Sequence, residues 1–188
     1  MQTVKLIIFI FLVLTSCNNI TNNNKINNSS TIAFDSMKNS KYGKVCLSNV
    51  KELLTWYRGK YDELNNIDLV KLEGNGDSIH YEIDFKSVKL YLQKLKESKI
   101  FSENYIKAMY NYLKKCNEKL IKNYQSDGPP LGLEHDLILL TQEPDYLFYN
   151  IDKLNYKKRM KGNNCIVVVD KNLKIEFNEK LLIEKIYR

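Results

Sequence analysis

The period of the hydrophobic pattern changes once along this 188-residue chain, at residues 125–132. Before this segment, apolar residues recur every three or four positions, which is typical of amphipathic helices. After it, short apolar or alternating segments are typical of strands. The segment reads Gln-Ser-Asp-Gly-Pro-Pro-Leu-Gly, which marks a break in regular structure. This order predicts an α+β domain, with N-terminal helices packed on one face of a C-terminal curved antiparallel sheet.

Three helices are predicted before the break, and the folded part of the chain is expected to start near Val45. Asn49 and Glu52 have the spacing of a capping box at the start of the first helix. The apolar positions of this helix are Val50, Leu53, Leu54, Tyr57, Tyr61 and Leu64. A Gly-Asn-Gly-Asp turn at 74–77 follows, flanked by segments that form either a short hairpin or a loop.

The second and third helices have clearer signals. The apolar positions of the second helix are Phe85, Val88, Leu92 and Leu95. Ser102 is the expected N-cap of the third helix. The stripe of the third helix consists of Ile106, Met109, Leu113, Cys116, Leu120 and Tyr124. Since Cys116 lies on this stripe, we predict a buried structural thiol rather than a reactive one.

The C-terminal part of the chain predicts an antiparallel meander. Residues 165–169, Cys-Ile-Val-Val-Val, are apolar at every position, as expected for a central strand covered on both faces. Leu173, Ile175 and Phe177 alternate with polar residues, which predicts a half-buried strand. Further strands are expected over residues 152–160 and 181–187.

The N-terminus has the pattern of a secretory signal peptide. Lys5 precedes an apolar run over residues 6–14, and Thr-Ser-Cys17 follows. The run is shorter than the ~20 residues that span a bilayer as a helix. Its ending resembles a bacterial lipobox, which implies cleavage after residue 16 and lipid on Cys17. We therefore expect a signal peptide at 1–16, a lipidated Asn-rich tether at 17–44, and one domain at 45–188 in the cell envelope, anchored to a membrane through Cys17.

Composition restricts the classes of partner and site. The formal net charge is +7, but the lysines are scattered along the chain, so we expect a solvated basic surface. Contact with anionic lipid is a lesser alternative. We expect no nucleic-acid partner. Cys46, Cys116 and Cys165 allow at most one internal disulfide. The two histidines, His80 and His135, form no zinc motif, so neither a metal nor a cofactor is predicted.

One place in the chain brings an acid and an imidazole together, at Glu134-His135-Asp136. One interpretation is a histidine–carboxylate pair for general-base catalysis. The other, which we favour, is a loop in which Asp127 or Asp136 accepts backbone N–H groups, because sequence neighbours do not face each other in regular structure.

A second candidate is the apolar segment at 146–149, which either packs or binds a partner, with packing favoured. The possible binding surface predicted from both places consists of Asp127, Glu134, His135, Asp136, Tyr146 and Tyr149.

Several strings resemble a family of small bacterial lipoproteins, domain-of-unknown-function family 3828. They are Trp56-Tyr57, residues 88–92, residues 102–106, Cys116, the Asp-Gly-Pro-Pro segment within 127–136, and residues 140–143. The resemblance runs from about residue 45 to the end. Such domains often close with a tryptophan in the last strand, where this chain has Leu181 or Leu182.

The resemblance implies a nuclear transport factor 2-like cone and an envelope location, but no activity. We expect a binding or accessory lipoprotein, immunity-type proteins included, that meets a protein, peptide or small ligand in the sheet concavity. The alternative is a cone-fold enzyme that acts on a small molecule with His135 and nearby carboxylates.

Overall fold

The computed structural model describes residues 41–170 and 172–188. The predicted signal peptide, Cys17 and the Asn-rich tether up to residue 40 lie outside the described residues. No helix in the described part of the chain is both long and apolar enough to cross a membrane.

The first helix, α1, spans Lys41–Asn65. The predicted capping box is wrong, because Asn49 lies within the helix and its Nδ2 atom donates to the Leu181 carbonyl at 3.2 Å. The folded domain also includes residues 41–44, which the sequence predicts as part of the tether. The reason is that the buried face of the helix extends back through Cys46 to Tyr42, whose hydroxyl donates to the Asn178 carbonyl at 3.0 Å.

The Gly-Asn-Gly-Asp turn connects a hairpin, so that alternative is confirmed. Strand β1 (Val70–Glu73) pairs antiparallel with β2 (His80–Ile83), and a short 3-10 turn at Gly76–Ser78 lies between them. The Ile83 amide donates to Asn117 Oδ1 at 2.7 Å, which fixes the hairpin against the third helix.

Helix α2 spans Phe85–Glu97 and helix α3 spans Glu103–Asn123. The predicted N-cap of α3 is confirmed, because the Ser102 hydroxyl accepts a hydrogen bond from the Tyr105 amide at 3.1 Å. Cys116 is 3% exposed, which confirms the predicted phase of the third helix as far as Leu120. The prediction is wrong for Tyr124, which is 63% exposed because the helix ends at Asn123 and Tyr124 is its left-handed C-cap.

The C-terminal sheet has the strand order β3-β4-β5-β6, and every neighbouring pair is antiparallel. The strands are β3 (Tyr156–Lys161), β4 (Asn164–Val169), β5 (Leu173–Phe177) and β6 (Ile183–Tyr187). The predicted meander is therefore confirmed, but the strand expected over residues 152–160 covers Tyr156–Lys161, because the amides of Lys153 and Leu154 donate to the Asn150 carbonyl in a turn. The last strand starts at residue 183 rather than 181, because Leu181 has a left-handed backbone (φ 62°) and its amide donates within a turn.

The helices cover the inner face of the sheet, which confirms the α+β class. Helix α1 packs on β4 and β3, and α3 packs on β6, on α2 and on the β1–β2 hairpin. The core between these elements contains fully buried side chains from the three helices and from β4 and β5: Val50, Leu53, Leu95, Leu113, Val167, Ile175 and Phe177. A short helix, α4 (Pro144–Tyr149), lies against α1.

Candidate functional site

The connector, residues 125–143, joins α3 to α4 and contacts both α1 and α3. Its first turns are held by Gln125 rather than by an aspartate. Gln125 Nε2 donates to the carbonyls of Asp127 (3.0 Å) and Pro129 (2.9 Å), and its Oε1 atom accepts from the Leu131 amide at 2.9 Å. One side chain therefore pairs with three backbone groups of a turn in which the two prolines supply no N–H donor.

Gly132 attaches the connector to α3. Its φ of 86° lies in the left-handed region, and a Cβ atom there would lie 2.5 Å from Cys116 Sγ. The Tyr112 hydroxyl donates to the Gly132 carbonyl at 2.6 Å. Because both the backbone conformation and the close approach require a missing side chain, glycine is the residue that fits this position.

Asp136 organises the second half of the connector. Its Oδ1 atom accepts from the amides of Ile138 (3.0 Å) and Leu139 (2.5 Å), and its Oδ2 atom accepts from the Tyr57 hydroxyl on α1. The prediction that Asp136 accepts backbone N–H groups is confirmed. The carboxylate additionally ties the connector to a helix 79 residues earlier in the chain.

Burial sets the electrostatics of the pair formed by Tyr57 and Asp136. Burial raises the pKa of the Asp136 carboxyl above its usual range, although hydrogen bonds from Tyr57 and the two amides oppose the shift. Burial, followed by the charge of Asp136, also raises the pKa of the Tyr57 phenol far above its ordinary value. The phenol therefore stays protonated and donates, while both carboxylate oxygens are engaged as acceptors.

A cleft of about 520 Å³, which we call the connector cleft, opens between the connector, α1 and the loop that follows α1. Three tyrosines and three carboxylates line it, together with one imidazole: Tyr57, Tyr61, Tyr91, Asp68, Glu134, Asp136 and His135. The ring centroids of Tyr57 and Tyr61 are 5.6 Å apart in an edge-to-face arrangement. No lysine or arginine is among the described residues that line the cleft.

The structure brings half of the predicted binding surface together. Glu134, His135 and Asp136 line the connector cleft. Asp127 does not, and of the two aspartates offered as acceptors of backbone N–H groups only Asp136 is one, since the Asp127 side chain is exposed and makes no hydrogen bond to the described residues. Gln125 takes the role that we assigned to Asp127, because its longer side chain reaches three backbone groups at once.

The two tyrosines of α4 lie outside the connector cleft. Tyr146 is 55% exposed and lines a neighbouring cavity of about 730 Å³, where the charge of Asp170 and a hydrogen bond to it raise the pKa of the Tyr146 phenol. Tyr149 is 78% exposed and lines neither cavity. Leu147 and Phe148 are buried, so the apolar half of this segment packs, as favoured, while its tyrosines do not.

The three neighbours at 134–136 do not form a histidine–carboxylate pair. His135 is exposed and makes no hydrogen bond to the described residues. Glu134 Oε2 accepts from the Gly132 amide at 2.9 Å, and this hydrogen bond lowers the pKa of the Glu134 carboxyl. Since Asp136 points towards Tyr57 and the two amides, no carboxylate orients the imidazole as a general base would require.

Tyr61, Tyr91 and Asp68 line the connector cleft, although the sequence patterns predict none of them as a site residue. The helical stripe correctly placed Tyr57 in the core, but it also counted Tyr61 as core. The sequence does contain a signal for Tyr61. Tyr57 and Tyr61 lie four residues apart on one helix face, and their two hydroxyl groups need polar surroundings, which indicates a polar site beside this face.

Among the described residues, no group of three or more His, Cys, Asp and Glu side chains is arranged to hold a metal ion. Comparisons with protein-family models, curated proteins and solved structures find no match to this chain.

Proposed function

We propose that this protein is a membrane-anchored bacterial envelope lipoprotein that binds a cationic group of a peptide or small molecule in the connector cleft. We further propose that it belongs with the family-3828 lipoproteins and that its sheet and helices form a cone like that of nuclear transport factor 2. The observation that carries the binding role is the lining of the cleft, which has three tyrosines and three carboxylates but no lysine or arginine.

The contrast with the rest of the chain supports a cationic ligand. The chain has a formal net charge of +7, yet the described lining of this cleft has carboxylates and no basic side chain except His135. A cation gains Coulomb attraction from carboxylates and about 0.5–2 kcal/mol from the face of Tyr61, the one tyrosine of the described lining that is only partly buried, since Tyr57 and Tyr91 are buried in the core. The hydrogen bond between Tyr57 and Asp136 holds one wall of the cleft in place before a ligand arrives.

The alternative is a cone-fold enzyme that uses His135 and nearby carboxylates. Its weakness is that both oxygens of Asp136 are already hydrogen-bonded and Glu134 is held by the connector backbone. We therefore favour the binding module.

The outer face of the sheet suits the proposed membrane location. Five cations lie on this face and one acid accompanies them: Lys157, Arg159, Lys161, Lys174, Lys185 and Glu176. None of these cations lies within 4.0 Å of a carboxylate among the described residues. Each basic residue near an anionic bilayer gains about 1 kcal/mol. We propose that this face turns towards the membrane to which Cys17 is attached.

Calorimetric titration with choline tests the ligand class, with 3,3-dimethylbutan-1-ol as its uncharged isostere. We expect choline to bind at least about fivefold more tightly than the alcohol, because only choline has the charge that Tyr61 and the carboxylates attract. Tyr61→Leu and Asp68→Asn should each weaken choline binding, whereas Tyr149→Leu, an exposed tyrosine outside the cleft, should not. Equal affinity for the two compounds, or equal effects of all three substitutions, would contradict a cation site.

Labelled palmitate tests the anchor. We expect the wild-type chain to take up label in bacterial cells and the Cys17→Ala variant to take up none. An unlabelled wild-type chain would refute the lipoprotein assignment without affecting the titration result.

A further inference from the structure

Two cysteines that are far apart in the sequence meet beneath α1. Cys46 lies on the buried face of this helix, and Cys165 is the second residue of β4, where it pairs with Met160 and Phe177. Both are fully buried and unbridged. Their thiols are within hydrogen-bonding reach, with Cys165 as the donor to the sulfur of Cys46. The third described cysteine, Cys116, lies elsewhere, next to Tyr112 and Gly132.

A cation lies next to this pair on the inner face of the sheet. Lys158 is at the middle of β3, opposite Val167, and its side chain packs on Gly43, where any Cβ atom would overlap it. Gly43 lies one helical turn before Cys46, so the Lys158 ammonium is close to the Cys46 thiol. The hydrogen bond from Cys165, assisted by this ammonium, lowers the pKa of Cys46, while the same hydrogen bond and burial raise the pKa of Cys165.

The surroundings of the two sulfurs differ, because the Lys158 ammonium packs on Gly43, one helical turn before Cys46, and a nearby cation favours a thiolate. Thiol–disulfide exchange uses such a pair, because the thiolate attacks first and the thiol resolves the mixed disulfide. If the two cysteines only filled space in the core, two small apolar residues would serve equally well. Packing alone would not require a charged side chain beside them.

We infer that Cys46 and Cys165 are a redox pair that a small-molecule or protein disulfide converts into an intramolecular disulfide between α1 and β4. During folding, before α1 closes over β4 and buries the pair, the Cys46 thiolate attacks one sulfur of the oxidant, and the other sulfur leaves as a thiol after it takes up a proton. Cys165 then loses its proton and attacks the Cys46 sulfur, which releases the second thiol. Two electrons pass to the oxidant, and one disulfide replaces another.

The full chain, refolded with oxidised and reduced glutathione, tests this inference. Mass spectrometry of an unreduced digest should find the Cys46 peptide linked to the Cys165 peptide. Because the bridge closes a loop of more than 100 residues, the oxidised protein should unfold about 10 °C higher than the reduced protein, and dithiothreitol should reverse the shift. Cys116→Ala, the matched control, should leave both results unchanged, whereas Cys46→Ala and Cys165→Ala should each abolish the linkage.

Lys158→Met tests whether the Lys158 ammonium promotes disulfide formation or whether the two thiols react only because they lie close together. We expect this variant to form the same linkage several-fold more slowly, since the charge that favours the Cys46 thiolate is absent. Recovery of both thiols free after oxidative refolding of the wild-type chain, or a linkage to Cys116 or Cys17 in place of the expected one, would overturn the inference. The digest uses wild-type protein, so a variant that fails to fold does not obscure the result, and neither anchoring nor ligand binding enters it.

Discussion

Replacing Asp136 with alanine should remove the side chain that holds the connector to α1. The substitution leaves the Tyr57 hydroxyl and the amides of Ile138 and Leu139 without their acceptor. Ile138 and Leu139 are both fully buried. Each buried donor that loses its partner costs about 1–3 kcal/mol, while removal of a buried carboxylate returns part of its desolvation cost. We expect a net loss of about 2–4 kcal/mol in the free energy of unfolding.

Urea denaturation at pH 7, followed by circular dichroism, measures this loss. Asp127→Ala is the matched control, because Asp127 lies in the same connector but is exposed, and its substitution should change stability by less than about 0.5 kcal/mol. Equal and small effects of the two substitutions would show that the hydrogen bonds of Asp136 do not stabilise the fold.

The pH dependence of stability gives an independent check on the same carboxyl group. Since burial raises the pKa of Asp136 above its ordinary 3.8, the folded state binds this proton more tightly than the unfolded state. The stability that protonated Asp136 contributes is fully present below that ordinary value and is lost as the pH rises through the raised folded value. Asp136→Asn cannot titrate, so the stability of the wild type relative to this variant should decline over that window. A flat or rising difference would contradict the raised pKa.

Three further substitutions test the packing around the connector by the same denaturation assay. Gly132→Ala should cost about 2–4 kcal/mol, because backbone strain at positive φ adds to overlap of the new Cβ atom with Cys116. Gly128→Ala, at φ 67° with no atom nearby, should cost only about 1 kcal/mol. Equal losses would show that Gly132 does not lie close to Cys116. Cys116→Ser should cost about 1–3 kcal/mol, and an unchanged midpoint with fast labelling of the native thiol would show that Cys116 is exposed. His135→Ala should be neutral within about 0.5 kcal/mol, and a larger loss would reveal a contact of the imidazole that stabilises the fold.

The sequence by itself determined the three long helices, the four strands of the C-terminal sheet and their order, whereas the hairpin stayed one of two alternatives and α4 was not predicted. The buried face of α3, the Ser102 cap and the alternation in β5 depend on periods of 3.6 and 2.0 residues, which act within one helix or strand. The same local reasoning failed at Asn49. Its spacing to Glu52 suits a cap, but the Asn49 side chain bonds to Leu181, 132 residues away, and the helix continues past it.

Only the tertiary structure decided which side chains meet at the candidate site. Asp136 could satisfy its own turn from local sequence alone, but its bond to Tyr57 crosses 79 residues. The meeting of Cys46 with Cys165 likewise depends on how α1 lies across β4. Local patterns report the backbone period and the buried face of each element, and they carry no information about which distant element covers that face. The connector cleft and the cysteine pair both arise at such contacts, so packing, rather than any motif, created them.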